Sequence, residues 1–235
     1  MSVQRLDKII SSQTNLSRKD VKSAIRKKLA LVNGNAVKDS GYLVNLEKDS
    51  IVFDGQAIKY KEFIYILMNK PKGILSASRD KKQKTVIDLV PPDLQRNNLF
   101  PVGRLDQDTT GLLIITNDGE FAHKVISPKK NIYKTYIAQL DGIVIDETVE
   151  VFARGVVLAD GTVCRKAYLK PLNDYCVEIK ICEGRFHQIK RMFGTVGLGV
   201  NRLERTAIGG LKLPENIAEG DCRELSKNEI SMLFD

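Results

Sequence analysis

The segment 103–119, GRLDQDTTGLLIITNDG, places a short acidic loop directly before a compact apolar run. The run at 112–115 is rich in β-branched residues and predicts a buried strand. Asn-Asp-Gly at 117–119 is typical of a turn that ends such a strand. The pattern therefore holds the Asp106 carboxylate in a polar loop supported by a rigid element, a suitable place for a reactive group. By spacing alone, however, an ordinary turn is the simpler interpretation.

Composition limits the kinds of protein that this chain can be. Its 235 residues suit one large or two modest domains, and 43% of them are hydrophobic, enough for a sizeable core. Lys and Arg outnumber Asp and Glu by 37 to 29, a net charge of +8, which favours a polyanion without separating RNA from DNA or an anionic membrane surface. No apolar run approaches the roughly 20 residues of a membrane span. The first residues also lack a signal-peptide apolar region, so we expect a cytoplasmic protein.

Cysteine and histidine spacing argues against a metal centre. No C-x-x-C pair occurs, and the two histidines lie far apart in the sequence. The sequence predicts neither a zinc site nor a disulfide framework, and the four thiols are expected to be reduced. No segment matches a P-loop or a dinucleotide-binding fingerprint, so we expect no metal and no cofactor.

Residues 1–58 are predicted to form a separate small module. A short amphipathic helix near 6–10 is followed by Ser17 and Asp20, a capping signal for a second helix. Asn33-Gly34 between short apolar runs predicts a hairpin. The second helix carries cations four residues apart on one face, which are Arg18, Lys22 and Arg26. A basic face of this kind suits phosphate contact, although taken alone such faces are more often simply solvated.

The larger unit, 63–235, is predicted to be an α+β domain. Strand signals outnumber helix signals and hairpin turns are common, which favours a mixed, mainly antiparallel sheet flanked by helices over a doubly wound sheet. The segment 69–73 is interpreted as a turn with exposed lysines. The predicted strands are 63–68, 112–115, 133–140, 175–182 and 208–211, and the predicted helices are 120–126, 146–152, 186–196 and a short one capped by Ser226 and Glu229.

The 103–119 string resembles the catalytic motif of the pseudouridine synthases, most closely the branch that modifies bacterial ribosomal RNA. The segment N-K-P-x-G at 69–73 resembles the first motif of the same family. The resemblance implies that Asp106 is the catalytic carboxylate. It also implies an isomerase that moves a uracil from an N1 to a C5 glycosidic bond and therefore needs no redox or energy cofactor. Both motifs lie in the larger unit, so this unit is expected to be the catalytic domain.

Further site residues follow from the same resemblance. The string EGRFHQIKRMF at 183–193 resembles the motif that sets a basic residue against the catalytic Asp, here Lys190 where most branches have Arg. Tyr136 matches the active-site Tyr, whose ring would stack on the flipped uracil and whose hydroxyl would help to move a proton. Arg104 matches the Arg that fills the space left by the flipped base. Without the resemblance, Lys190 simply joins a basic helix face and His187 is a structural hydrogen-bonding residue. The RNA-binding residues expected on that face are Arg185 and Arg191.

The small module resembles the S4 RNA-binding domain. The resemblance is carried by RLDK, then SRKDVKSAIRKK, then VNGNAV, in that order. It implies that the helix pair and the following hairpin grip structured RNA, with Arg18, Lys22 and Arg26 as contact residues. The whole chain is then a small S4-like α/β module followed by a pseudouridine synthase domain.

Two departures from the large-subunit relatives favour the small-subunit branch. Asp108-Thr109-Thr110 follows the catalytic Asp, and Lys134-Thr135-Tyr136 replaces their usual basic-Glu-Tyr. We therefore expect a monomeric enzyme that acts on 16S rRNA, in a partly assembled small subunit by family analogy, with no membrane partner. One alternative is 23S rRNA as substrate. Another is a non-catalytic RNA-binding or ribosome-assembly factor, which would have no need of Asp106, Tyr136 and Lys190 together.

Overall fold

The computed structural model describes residues 3–235; Met1 and Ser2, which belong to the predicted 1–58 module, lie outside the described residues. The chain forms two compact units. The smaller one runs to Ile64 and also includes Pro91–Leu99, and the larger one comprises Tyr65–Val90 and Phe100–Asp235. The sequence predicts 91–99 as part of the larger domain, 63–235. It instead clusters with the small unit, where the Asn97 amide donates to the carbonyl oxygens of Ser11 and Leu16 at 2.6 and 2.9 Å.

The small unit pairs two helices with short strands. As predicted, Ser17 caps the second helix by accepting from the Asp20 amide at 3.2 Å. Asn33 and Gly34 both have positive φ (51° and 79°), which suits the tight hairpin between β2 and β3. β1 pairs with β4, and the order β3-β2-β5-β6 forms a second antiparallel sheet. The elements are β1 Val3–Arg5, α1 Leu6–Gln13, α2 Arg18–Arg26, β2 Ala30–Val32, β3 Asn35–Ala36, β4 Leu43–Asn45, β5 Ile51–Phe53 and β6 Gln56–Ile58.

Two of the three cations on the basic face of α2 lie against a buried carboxylate. The Asp7 side chain is fully buried and accepts hydrogen bonds from Arg5 and Arg18 at 3.1 to 3.3 Å, with Lys22 at 3.8 Å. Burial alone would raise the pKa of Asp7, but the hydrogen bonds from Arg5 and Arg18 outweigh it and lower the pKa to about 2. Arg18 and Lys22 therefore neutralise an internal charge, whereas Arg26 is exposed.

The large unit is built on one mixed sheet with the strand order β11-β12-β10-β13-β9-β7-β15, to which β8 and β14 add at β9 and β13. Among the paired strands of residues 3–235, β9 and β13 alone run parallel, so the mainly antiparallel α+β architecture is confirmed. The elements are β7 Tyr65–Lys70, β8 Phe100–Pro101, β9 Thr110–Thr116, α3 Gly119–Ile126, β10 Lys134–Leu140, α4 Asp146–Arg154, β11 Tyr168–Asn173, β12 Cys176–Ile181, α5 Gln188–Gly194, β13 Val200–Ile208, β14 Leu211–Lys212, β15 Cys222–Glu224 and α6 Lys227–Met232; short 3-10 helices lie at Val86–Leu89 and Pro128–Lys130.

Every residue of β9 is buried, since the strand lies inside the sheet and is covered on both faces. Leu112 and Ile114 pack with Leu67 of β7 and with the apolar side of α3. Asp118, predicted to lie in a turn, also begins α3: its carboxylate accepts from the Phe121 amide at 3.0 Å. The capping box of Ser226 and Glu229 at α6 is confirmed.

Some predicted elements were wrong in detail. The predicted strand at 208–211 spans a turn at Gly209 and Gly210, and the long strand β13 lies before it. This strand was missed because its outward-facing positions are charged or polar. Asp146 lies in the first turn of α4 and does not cap it. Lys70, expected in an exposed turn, is fully buried at the end of β7.

No helix among residues 3–235 combines the length and the apolar character that a membrane crossing requires.

Candidate active site

The loop 103–109, here called the Asp loop, is held in place by hydrogen bonds from Ser76 and Gly73 to its backbone. On one side, Ser76 Oγ donates to the carbonyl oxygen of Leu105 at 2.8 Å and accepts from the Leu105 amide at 3.1 Å. On the other side, the Gly73 amide donates to the Gln107 carbonyl oxygen at 2.7 Å. Asp106 lies between these two attachments, so its carboxylate is carried by a loop that folding has already ordered.

Lys70 lies buried beneath the Asp loop. Its Nζ donates to the carbonyl oxygens of Pro71, Gln107 and Thr109 at 3.0, 3.3 and 3.0 Å. Burial lowers the pKa of Lys70 to about 8, against the attraction of the Asp106 and Asp108 carboxylates, which favours the charged form. The ammonium group therefore donates to backbone carbonyl oxygens, two of them in the Asp loop, rather than to the Asp106 or Asp108 carboxylate.

The Asp106 carboxylate is partly open, with 27% of the side chain exposed, and it faces the residue before α5. His187 Nε2 lies 3.6 Å from Asp106 Oδ1. His187 has φ 48° and ψ 33°, a left-handed conformation that only a few per cent of non-glycine residues adopt, with Asn, Asp and His the most frequent among them. The sequence offered His187 only as a structural hydrogen-bonding residue. The structure makes it the nearest ionisable partner of Asp106 within the described ion pairs.

Lys190 does not pair with Asp106, so that prediction was wrong. Its Nζ instead contacts both oxygens of Asp108 at 2.5 and 2.6 Å. The hydrogen bond from Lys190 lowers the pKa of the Asp108 carboxyl. The physical reason is one of position: Lys190 lies on the first turn of α5, while His187, at the turn before the helix, occupies the space facing Asp106. Lys190 thus joins α5 to the Asp loop two residues beyond the predicted carboxylate.

Tyr136 lies on β10 and is 7% exposed. Its hydroxyl accepts from Arg205 Nη1 at 3.4 Å, and the guanidinium carbon lies 5.9 Å from the ring centroid. Arg205 is paired with Tyr136 on one side and with Gly111 on the other, so β13 separates β10 from the strand that leaves the Asp loop. Two strand spacings of about 4.8 Å put Tyr136 about 10 Å from Gly111.

Arg205 is a residue that the sequence reasoning missed. It is 4% exposed, and its Nε donates to the Leu112 carbonyl oxygen at 2.7 Å. Arg205 Nη2 and the hydroxyls of Thr109 and Thr110 are buried without a hydrogen-bond partner within the described residues. Buried polar groups without a partner are uncommon in folded proteins. An Arg inside an otherwise strand-like segment was the available signal.

The predicted RNA-binding residues of the large unit differ in whether an acidic side chain already neutralises their charge. Arg104 is exposed on the Asp loop. Arg185 Nε lies 3.4 Å from the buried Glu183 carboxylate, and Arg191 Nη2 lies 2.5 Å from Asp160. These two guanidinium groups are already paired with acids, so Arg104 offers the least compensated charge of the three.

Within the described part of the chain, no group of three or more His, Cys, Asp or Glu side chains is arranged to hold a metal ion. The four cysteines are free thiols.

The Asp loop leads into the buried strand β9, Arg205 lies on the neighbouring strand β13, and Tyr136 lies on β10 beyond it. Comparison with known proteins shows the class of protein to which this site belongs. The sequence profile of the RNA pseudouridylate synthase family matches residues 64–195, more than half of the chain. The chain therefore belongs to this family. The matched range contains Asp106, Tyr136 and Lys190 and begins after residue 63, so it leaves out most of the small unit.

Individual relatives match over nearly the whole length. The chain is 38% identical to an uncharacterized RNA pseudouridine synthase of Bacillus subtilis (strain 168), covering 97% of this chain and 98% of the relative. It is 36% identical to the ribosomal small subunit pseudouridine synthase A of Escherichia coli (strain K12), covering 97% and 98%. A crystal structure of a pseudouridylate synthase superposes with a TM-score of 0.69 at 35% identity, covering 98% of this chain and 99% of that one.

Proposed function

We propose that this protein isomerises one uridine of small-subunit ribosomal RNA to pseudouridine, with Asp106 as the catalytic carboxylate. The observation that carries the proposal is the Asp106 side chain itself: part-exposed, on a loop tied down on both sides, inside the segment that matches the family. The choice of small-subunit RNA rests on full-length relatives from Escherichia coli, Haemophilus influenzae and Salmonella typhimurium that carry that substrate in their names.

The reaction asks little beyond a well-placed carboxylate. The C1′–N1 bond of uridine breaks, uracil turns, C1′ bonds to C5, and the proton on C5 leaves while N1 regains one. Atoms and electrons balance within the substrate, so the step is an isomerisation. Asp106 serves either as the nucleophile at C1′ or as the base in an elimination through a glycal-like species; both roles need an ionised carboxylate next to the ribose.

The other residues have supporting roles in this proposal. The uridine must leave its base stack, because the uracil has to turn until C5 faces C1′ and a base cannot turn while it is stacked between its neighbours. Tyr136 packs against the uracil. Its hydroxyl, which accepts a hydrogen bond from Arg205, helps to remove the proton from C5. Lys190 holds Asp108 and thereby fixes α5 against the Asp loop. Arg104, exposed on that loop, supports the RNA from which the base has left.

The small unit, with its Asp7-centred helix pair and the hairpin at Asn33-Gly34, is proposed to act as an S4-like RNA-binding module. The proposal places the protein in the cytoplasm as a monomer without a metal ion, acting on RNA that is partly assembled into the small subunit. Retained activity in the presence of chelators is the expected result for a metal-free reaction.

The experiment compares pseudouridines in ribosomal RNA from cells with and without the gene, complemented by wild type, Asp106→Asn or Asp174→Asn. Both variants remove one negative charge, but Asp174 is exposed in the turn before β12. We expect one small-subunit pseudouridine to vanish on deletion, to return with wild type and Asp174→Asn, and to stay absent with Asp106→Asn. A site lost from 23S rRNA would redirect the substrate. RNA binding without any pseudouridine would favour a non-catalytic assembly factor.

A further inference from the structure

An unusual aromatic pair stands at the edge of the candidate site. Phe186 is 71% exposed, the largest exposed fraction among the large hydrophobic side chains of residues 3–235. Its ring stacks on His187 with centroids 3.9 Å apart and planes 18° from parallel. One face of the phenyl ring is therefore covered by the imidazole, and most of the remaining ring surface is open to water.

The pair is fixed to the catalytic carboxylate. His187 holds a left-handed backbone conformation, which costs free energy for a residue with a Cβ atom and persists only when surrounding contacts favour it. The imidazole stacks on the Phe186 ring, and its Nε2 lies 3.6 Å from Asp106 Oδ1. Residues held in such strained conformations cluster at ligand-binding positions.

We propose that Phe186 is a stacking platform for a nucleobase of the RNA strand next to the target uridine. This rests on the proposed function, because extruding one nucleotide leaves its neighbours without a stacking partner. A phenyl ring takes any base through its π-face and carries no charge, so the contact adds affinity without adding a phosphate contact. His187 forms the lower layer and sets the distance between the stacked base and Asp106.

Fluorescence offers a direct test, since the protein contains no Trp. Phe186→Trp places a single indole on the platform, and Tyr175→Trp places a matched indole at an exposed site, 52% open, in the β11–β12 turn. Each variant is titrated with an unmodified transcript of small-subunit rRNA. We expect strong quenching of the indole at 186, through stacking with a base, and little change at 175. Equal quenching at the two sites would overturn the proposal.

Affinity gives the second readout. Phe186→Leu should weaken binding of the same transcript by about 5- to 100-fold, while the slope of log affinity against log salt stays that of wild type. Phe186→Tyr should bind within about twofold of wild type because it keeps the ring. Tyr175→Leu, the matched control, should bind as wild type does. Unchanged affinity in Phe186→Leu, or a loss accompanied by a changed salt slope, would refute the platform.

Both arms measure binding alone. A wild-type protein that quenches at position 186 yet produces no pseudouridine would defeat the proposed function and leave the stacking platform in place. If the wild-type protein produces pseudouridine but Phe186→Leu binds the transcript as tightly as wild type, the proposed function stands and the stacking platform is refuted.

Discussion

At the scale of single residues, the candidate site combines a fixed carboxylate with cations that are mostly committed elsewhere. Lys70 is occupied by three carbonyl oxygens and Lys190 by Asp108, so neither is an ion-pair partner of Asp106. His187 takes that place at 3.6 Å. The Asp106 carboxylate is thus held by its backbone and by one weakly basic neighbour, and it keeps a share of its surface for the substrate.

Arg205 is expected to act through Tyr136. Arg205→Lys keeps the positive charge but cannot hold the Tyr136 hydroxyl and the Leu112 carbonyl at once, as the guanidinium does through Nη1 and Nε. We expect single-turnover rates at saturating RNA to fall about tenfold or more, since proton transfer depends on the position of the hydroxyl. The measurement is the rate of tritium release from C5-labelled uridine in the RNA.

The control for Arg205 is a double-mutant cycle. If Arg205 works by positioning the hydroxyl, then Tyr136→Phe should lose activity and the added change Arg205→Lys should cost little more. Losses that multiply would show that the two residues act independently. Thermal unfolding of each variant identifies any loss that comes from misfolding.

At the scale of elements, β9 and β13 must approach closely for the site to form. Gly111 has φ 100°, and a Cβ atom there would overlap the backbone of Arg205. Gly111→Ala should therefore both strain the backbone and push β13 away, with a free-energy cost of about 3 kcal/mol or more and a large loss of turnover. Chemical denaturation and single-turnover kinetics measure the two effects.

Gly161→Ala is the matched control for this substitution. Gly161 also has a positive φ, 79°, but open space surrounds the position of a Cβ atom. Gly161→Ala should therefore lower the free energy of unfolding by the backbone strain alone, about 1 kcal/mol, and leave turnover unchanged. Equal effects of the two substitutions would mean that the β9–β13 approach does not limit the site.

Short sequence patterns predicted the elements that depend on neighbouring residues. They did not predict the features that depend on contacts between distant parts of the chain. Three features depend on only a few neighbouring residues and were predicted from the sequence. They are the helix cap at Ser17, the helix cap at Ser226 and the apolar run in β9. β13 was missed because its polar outward face hides its alternation. The pairing of Lys190 with Asp108 was missed because a motif fixes which residues are near, while the start of a helix fixes which of two carboxylates a side chain reaches.

At the scale of the whole molecule, the net charge of +8 is spread over two units in which many cations are already paired. On α2, Arg18 and Lys22 serve the buried Asp7, and removing either would leave part of that charge uncompensated. Substitutions there would confuse stability with RNA affinity. Arg26 is exposed at the end of the same helix and is absent from the Asp7 cluster, so it reports on RNA contact alone.

Arg26→Gln can be compared with Arg154→Gln, which removes the same charge from an exposed position on α4 of the large unit, where Arg154 pairs with the exposed Glu150. Each variant has a net charge one unit lower, so a non-specific effect of total charge would change both equally. If the small unit grips RNA through the α2 face, the slope of log affinity against log salt should become shallower by about one for Arg26→Gln and stay at the wild-type value for Arg154→Gln. Filter binding to a small-subunit rRNA transcript at a series of salt concentrations gives both slopes. Identical slopes in the two variants would remove the α2 face from the RNA interface, because a released counterion must come from a phosphate that the lost cation had contacted.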